Sequence, residues 1–345
     1  MGQPGFFDLD RRLEAISAKG DALETIKTAV PWEDFRADIE AATAPEERKS
    51  NAGRKPYDAI LKFKVLVLQS LYNFSDEQTE SMIRDRLSFM RFLDLGLEDP
   101  VPDATTIWLF REALVDARLV DKLFARFGQH LEAKGYIARG GQIVDATIVS
   151  VPRQHNTKEE NEAIKASETP KAWEQQPAKL AQKDVDARWT KKNDKSFYGY
   201  KNHVGIDKSH KLIRKWDATD AAVHDSRKLD DILDPSNTAT DVWADSAYRS
   251  AAIEQRLKAK GLRSRIHRRA VRGRALSERQ KAANTTRSKV RARVEHVFGH
   301  QENSMGRKIV RTIGIARARF KIGMMNLGYN IRRLVQIERA AAAPA

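Results

Sequence analysis

The sequence predicts an α/β protein in which a mixed sheet is flanked by helices and preceded by an all-helical N-terminal domain. Three observations carry this. Apolar residues recur at helical spacing within the first 135 residues. β-branched apolar runs begin at residue 142. Beyond that point strands cluster first and then alternate with helical stretches, which is the order of a mixed sheet with helices packed on it.

The helical part spans 1–135. "YDAILKFKVLVLQSLYNF" places apolar residues at helical spacing from Ile60 to Leu71. "SDEQTESMIRDRLSFMRFLDLGL" follows, with Ser75 as N-cap and Gln78 at the capping-box position. In "PDATTIWLFREALVDARLVDKLFARFGQHLEAKG", Asp103 or Thr105 can cap a helix and Gly135 can end one. Short helices of this kind suit a DNA-binding or dimerising module, or a plain helical bundle.

The second part, 136–340, opens with the strand "QIVDATIVSV". Residues 153–196 then form a polar excursion of mixed charge, poor in core residues and expected to be partly disordered without a partner. Trp173 and Trp189 stand out in it, placed either to dock it on the core or to stack on DNA. "SFYGYKNHVGID" and "KLIRKWDATD" read as an antiparallel hairpin around the polar turn "DKSH". "HDSRKLDDIL" reads as a helix, "DVWADSAY" as a strand and "SAAIEQRLKAKG" as a helix ended by Gly261. "RSRIHRR" reads as a short basic strand. "SERQKAANTTRSKVRARVEHVFGH" is a long helix with Ser277 and Gln280 as a capping box and an apolar face of Val290, Val294, Val297 and Phe298. A last basic helix runs through "FKIGMMNLGYNIRRLVQIERA".

Composition narrows the class. The 345 residues are 41% hydrophobic and 32% charged, as expected of a soluble protein. With no cysteine, disulfides and thiolate zinc sites are excluded. No run approaches a membrane span and the N-terminus lacks an apolar signal-peptide core, so a cytoplasmic location and no membrane partner are expected. The net charge is +15 and it is one-sided: residues 263–339 hold twenty-one Lys and Arg against four Glu and no Asp. Clustered cations gain affinity by displacing counterions from phosphates, so nucleic acid is the expected partner.

Three carboxylates carry the chemistry. Asp145 interrupts the apolar strand "GQIVDATIVS", Asp245 ends "TDVWADSAY", and Glu295 lies beside the apolar face of "RSKVRARVEHVFG". Two strand-borne acids and one helix-borne acid can converge on a pair of divalent cations, the arrangement that breaks and joins phosphodiesters in an in-line displacement. Each has an ordinary alternative. Asp145 could cap a turn or meet a Lys, Asp245 could cap a helix, and Glu295 could pair with Arg291 one turn earlier.

The words "IVDATIVSVP", "YGYKNHVGIDKSHKLI", "VHDSRKLDDIL", "WADSAYRS" and "RVEHVFG", in that order, resemble bacterial insertion-sequence DDE transposases, closest to the insertion-sequence-five family. The helical "GRKPYDAILKFKVLVLQSLYNFSDEQTESMIRDRLSFMRFLDL" and "PDATTIWLFREAL" are similar to its N-terminal domain. The resemblance covers roughly residues 30–335. It implies an RNase H-like catalytic core with Asp145, Asp245 and Glu295 as the metal-binding triad, holding two Mg²⁺ ions for which Mn²⁺ can substitute. Related families surround the final acid with Tyr, Arg and Lys at fixed intervals. Here Arg291 and Glu295 fit, whereas the Tyr position is Ser288 and the Lys position is Glu302.

The expected function is therefore that of a DNA transposase. It would bind double-stranded terminal inverted repeats, hydrolyse a strand at each element end and join the 3′-OH ends to target DNA, as a homodimer on bacterial, nucleoid-associated DNA. The alternatives are a nuclease without strand transfer and a DNA-binding regulator with structural carboxylates. The expected DNA contacts are Lys201 and His203 in the hairpin, Tyr248 and Arg249 after Asp245, the basic Arg265, Arg268, Arg269, Arg272 and Arg274, and Arg291 on the long helix. For Tyr248 and Arg249 the alternatives are packing and an ion pair. For Lys201 and His203 the alternative is a solvent-facing role.

Overall fold

A computed structural model of the protein describes residues 5, 7–44, 55–192, 194–270, 273, 275–306 and 309–342. The chain divides into two compact units. One comprises Met1–His130 with Leu327–Ala345, and the other Leu131–Asn326.

The first unit is helical. Its elements are α1 (Asp8–Ala18), α2 (Ala22–Ala29), α3 (Arg36–Thr43), α4 (Ala59–Tyr72), α5 (Asp76–Asp85), α6 (Leu87–Phe92), α7 (Ala104–Asp116) and α8 (Val120–Ala133). Local chemistry sets their starts. Asp58 caps α4, the Ser75–Gln78 capping box opens α5 and Asp103 caps α7. The core is aromatic. Phe35, Phe63, Phe89, Phe92 and Phe127 are fully buried, and Trp32 meets Phe63 and Phe92 edge-on. Asp38, Lys64 and Arg111 are buried in this unit, and Arg111 donates to both oxygens of Asp76.

The second unit holds the sheet. Its elements are β1 (Gln142–Ser150), α9 (Lys158–Lys165), α10 (Lys171–Glu174), α11 (Pro177–Leu180), β2 (Arg188–Lys192), β3 (Lys195–Asp207), β4 (Ile213–Asp220), β5 (Asp241–Trp243), α12 (Ala251–Ala259), β6 (Arg263–Ser264), α13 (Glu278–Asn303) and the start of α14 (Ile315–Ala342), whose residues from Leu327 onwards belong to the first unit. β3 pairs antiparallel with β1 along one edge and with β2 and β4 along the other. β5 lies parallel on the far side of β1, and β6 parallel beyond it. An antiparallel meander followed by parallel strands beside its first strand is the RNase H-like arrangement. Helix α13 packs on β1 and β5, and α12 on β6.

The sheet is tightly drawn onto the segment that follows β4. At Gly205 an added Cβ would lie 2.1 Å from the Ile232 carbonyl oxygen, so only glycine lets that backbone approach β3. Leu229, Ile232 and Leu233 are buried there with Val144, Val242 and Ala244.

Four expectations change. "DVWADSAY" is strand only over Asp241–Trp243, and Ser246–Tyr248 winds as a 3₁₀ turn capped by Asp245. "HDSRKLDDIL" is no α-helix, since only Asp225–Lys228 winds, as a 3₁₀ turn. Tertiary ion pairs hold it in that shape: Asp225 to Lys201 at 2.8 Å and Lys228 to Asp217 at 2.8 Å. The described residues of the 153–196 excursion form three short helices and β2, where partial disorder was expected. Trp173 is fully buried and its indole N–H donates to Glu160 Oε1, while buried Asp184 accepts the Tyr200 hydroxyl of β3. The last helix begins at Ile315, five residues before the expected Phe320. No helix among the described residues is long and apolar enough to cross a membrane.

Candidate active site

Strand register places the two aspartates. Ile143 of β1 faces Trp243 of the parallel β5. Two residues further along each chain stand Asp145 and Asp245. Because side chains alternate with period two, this step keeps them on the same face as Ile143 and Trp243. Asp145 sits inside the central strand, opposite Val204 of β3. Asp245 follows the end of β5 in extended backbone and caps the 3₁₀ turn Ser246–Tyr248, accepting the Ala247 N–H at 2.8 Å. The capping alternative for Asp245 is thus real, and it leaves the other oxygen for further work.

Glu295 comes from α13, and Arg291 links it to the sheet. Arg291 Nη1 donates to Asp145 Oδ2 at 2.7 Å, and Nη2 donates to Glu295 Oε1 at 2.6 Å. One guanidinium therefore stands between two of the three acids. Asp145 is 9% exposed, and burial pushes its pKa up to about 6. Arg291 and the Ala146 N–H oppose that rise, whereas Asp245 adds to it; Lys192 of β2 also favours the charged form. Glu295 is mostly solvated, its side chain 56% exposed.

Among the described residues no group of three or more His, Asp or Glu side chains is assembled to hold a metal ion. The donors nevertheless suit one. All three are hard carboxylate oxygens, and the site already requires positive charge, which Arg291 provides between Asp145 and Glu295.

The expected DNA contacts divide. Tyr248 and His203 are fully buried, which corrects the expectation that they face DNA. Tyr248 packs among Val144, Leu229, Ala244 and Ile253, and the His203 ring shares a hydrogen bond with Thr219 at 2.9 Å. Burial lowers the His203 pKa. Lys201 is turned inward to the Val223 carbonyl and Asp225 rather than towards solvent. Arg249 pairs with Glu254 and donates to the Ile266 carbonyl, and Arg265 is engaged by Asp241. Arg268 and Arg269 are exposed. Arg272 and Arg274 lie outside the described residues.

Two further residues belong to the neighbourhood. His267 meets Ser288 at 3.3 Å, and burial together with Arg291 and Arg287 lowers its pKa. The only sequence signal for His267 was its setting in "RSRIHRR". Lys192 gave none, because its approach depends on how the β2–β3 arm folds.

The Transposase domain (DUF772) model matches residues 11–113, and the Transposase DDE domain model matches residues 138–331. The chain belongs to the DDE transposase family. It is an enzyme that acts on DNA, and members of the family use divalent metal. Among solved structures it is similar to the piggyBac transposase synaptic complex with hairpin DNA, at 11% identity and a TM-score of 0.42, over 93% of this chain and 80% of that one.

Proposed function

We propose that this transposase binds the inverted repeats at the ends of its element, cleaves a strand at each end and joins the freed 3′-OH to target DNA. Two copies would hold the two ends. The observation that carries the reading is the pairing of β1 with the parallel β5, which ends two residues before Asp245, together with Arg291, which binds both Asp145 and the helix-borne Glu295.

In this reading Asp145, Asp245 and Glu295 hold two Mg²⁺ ions, with Mn²⁺ as substitute. Such ions supply Lewis-acid charge that activates an oxygen nucleophile and stabilises the leaving oxygen. The chain's own groups do the rest. β1 holds Asp145 and the turn after β5 holds Asp245, so neither would need ordering when substrate arrives. Burial keeps Asp145 from losing its charge field to water. Arg291 carries a cation that can pass from the carboxylates to a phosphate, for which its planar fork is well shaped. The exposed Arg268 and Arg269, in the basic 263–333 region, would grip backbone phosphates, and the N-terminal helices would share in reading the repeats.

The test is a labelled linear DNA bearing the element's ends, mixed with a target plasmid, Mg²⁺ and the purified protein. Nicking and a joined product are expected, both lost in Asp145→Ala. Cleavage without joining would reduce the activity to that of a nuclease. Binding without cleavage by either protein, in Mg²⁺ and Mn²⁺ alike, would overturn the reading.

A further inference from the structure

Two tryptophans mark the segment between β1 and β3, and they are placed oppositely. Trp173 is fully buried, whereas Trp189 of β2 is 41% exposed. A lone exposed ring is ordinary, so the setting of Trp189 has to carry any meaning. Its ring packs on Tyr198, its register partner in β3, with centroids 5.1 Å apart, and the Arg153 guanidinium lies 5.7 Å from the indole. Arg153 and Tyr198 both border an open cavity of about 460 Å³, which Lys195, Ser196 and Phe197 also line.

The charges around this cavity are unmatched. Among the described residues Arg153, Lys192 and Lys195 are exposed and no carboxylate pairs with them, while Lys179 and Lys191 nearby in sequence have Glu160 and Asp194. Lys192 stands directly opposite Lys195 in the β2–β3 register. Like charges facing each other across two strands destabilise the pair unless an anion lies between them.

One ligand answers both features. A flat indole takes a nucleic-acid base by stacking, and unmatched cations take the phosphates beside it. A duplex keeps its bases stacked on one another and offers only their edges in the grooves, so the ring suits a nucleotide that has lost its pairing. The location suits it too. From Tyr198 to Val204, the residue opposite Asp145, β3 spans at most about 20 Å.

We propose that Trp189, Arg153, Lys192 and Lys195 form a binding site for an unpaired stretch of DNA beside the candidate active site. Trp189 stacks on one base and the cations hold the adjoining phosphates. The site requires only that the chain acts on DNA. It does not depend on which residues bind metal, so it is tested without metal.

The experiment uses the full-length protein in EDTA and the fluorescence anisotropy of two labelled probes, an oligothymidylate strand and a blunt duplex of equal length. Trp189→Ala should weaken single-strand binding about tenfold, on the scale of one lost base stack, and leave duplex binding unchanged. Trp189→Phe keeps a ring against Tyr198 and should lose less affinity, while the quenching of indole emission by the strand largely disappears. Arg153→Gln and Lys195→Gln should each flatten the salt dependence of single-strand binding by about 0.7. Three results overturn the proposal: no single-strand binding by wild type, wild-type single-strand affinity in Trp189→Ala, or equal losses for strand and duplex. If Trp189→Ala fails to fold, Trp189→Phe decides, and quenching equal to wild type in that variant overturns the proposal as well. Loss of cleavage in Asp145→Ala bears on the metal ligands alone and leaves this site standing.

Discussion

Replacing Arg291 with Gln should destabilise the metal-free protein by an amount that grows with pH. Arg291 is the counter-charge of a carboxylate only 9% exposed, and breaking a buried pair on one side costs about 3–5 kcal/mol. The Glu295 arm adds little, because a half-exposed pair contributes about 0–1 kcal/mol. Asp145 can relieve part of the loss by taking a proton. Its folded pKa already stands at about 6, above the ordinary 3.8, and removal of Arg291 deletes an influence that lowers it. A carboxyl whose folded pKa is raised stabilises the protein below its unfolded pKa and loses that contribution as pH rises through the folded value. The variant therefore sits close to wild type at pH 5 and falls behind by about 3 kcal/mol at pH 8, the lower end of the range for a buried pair. Urea unfolding in EDTA, followed by tryptophan fluorescence at both pH values, measures the gap. Equal gaps at pH 5 and pH 8 would mean that Arg291 does not neutralise Asp145.

Other perturbations follow from the same structure. Gly205→Ala pushes a Cβ to 2.1 Å from the Ile232 carbonyl and should cost about 1–3 kcal/mol, read as a lower Tm; an unchanged Tm would contradict that close approach. Glu160 is held at about 2 by the Thr157 N–H, the Trp173 indole and Lys179, so its contribution is full above the ordinary value near 4.5 and is lost as pH falls towards 2. Acid titration of the buried Trp173 emission should show that loss in wild type, and Glu160→Gln should flatten it. Arg268→Ala and Arg269→Ala should each reduce the salt slope of DNA binding by about 1, whereas Arg263→Ala should change it less because Asp241 already engages Arg263. Measured slopes that rank the other way would relocate the phosphate contacts.

Where local chemistry decides, the sequence was legible. Ser75–Gln78 and Ser277–Gln280 form the expected capping boxes, and the "DKSH" turn joins β3 to β4 as read. β-branched runs gave β1, and an acid in such a run drew attention to Asp145. What escaped reading depends on tertiary partners. The Asp225–Lys228 turn is shaped by ion pairs to Lys201 and Asp217, which no local pattern reveals. The excursion is held by the buried Trp173 with Glu160 and by the buried Asp184 with Tyr200, in an otherwise polar segment. Tyr248 was read as a DNA contact for following Asp245, with packing as its alternative, and His203 for lying in the hairpin opposite Asp145; strand and turn geometry bury both. The double grip of Arg291 was half visible: its spacing from Glu295 is helical, but its reach to Asp145 crosses 146 residues.

The most direct test of the account is a structure of the protein with its element-end DNA and Mn²⁺, read by the anomalous signal of manganese. The account predicts peaks coordinated by Asp145, Asp245 and Glu295, with the Arg291 guanidinium moved from the carboxylates to a phosphate. Peaks elsewhere, or Arg291 still bridging Asp145 and Glu295 beside a bound DNA end, would contradict it.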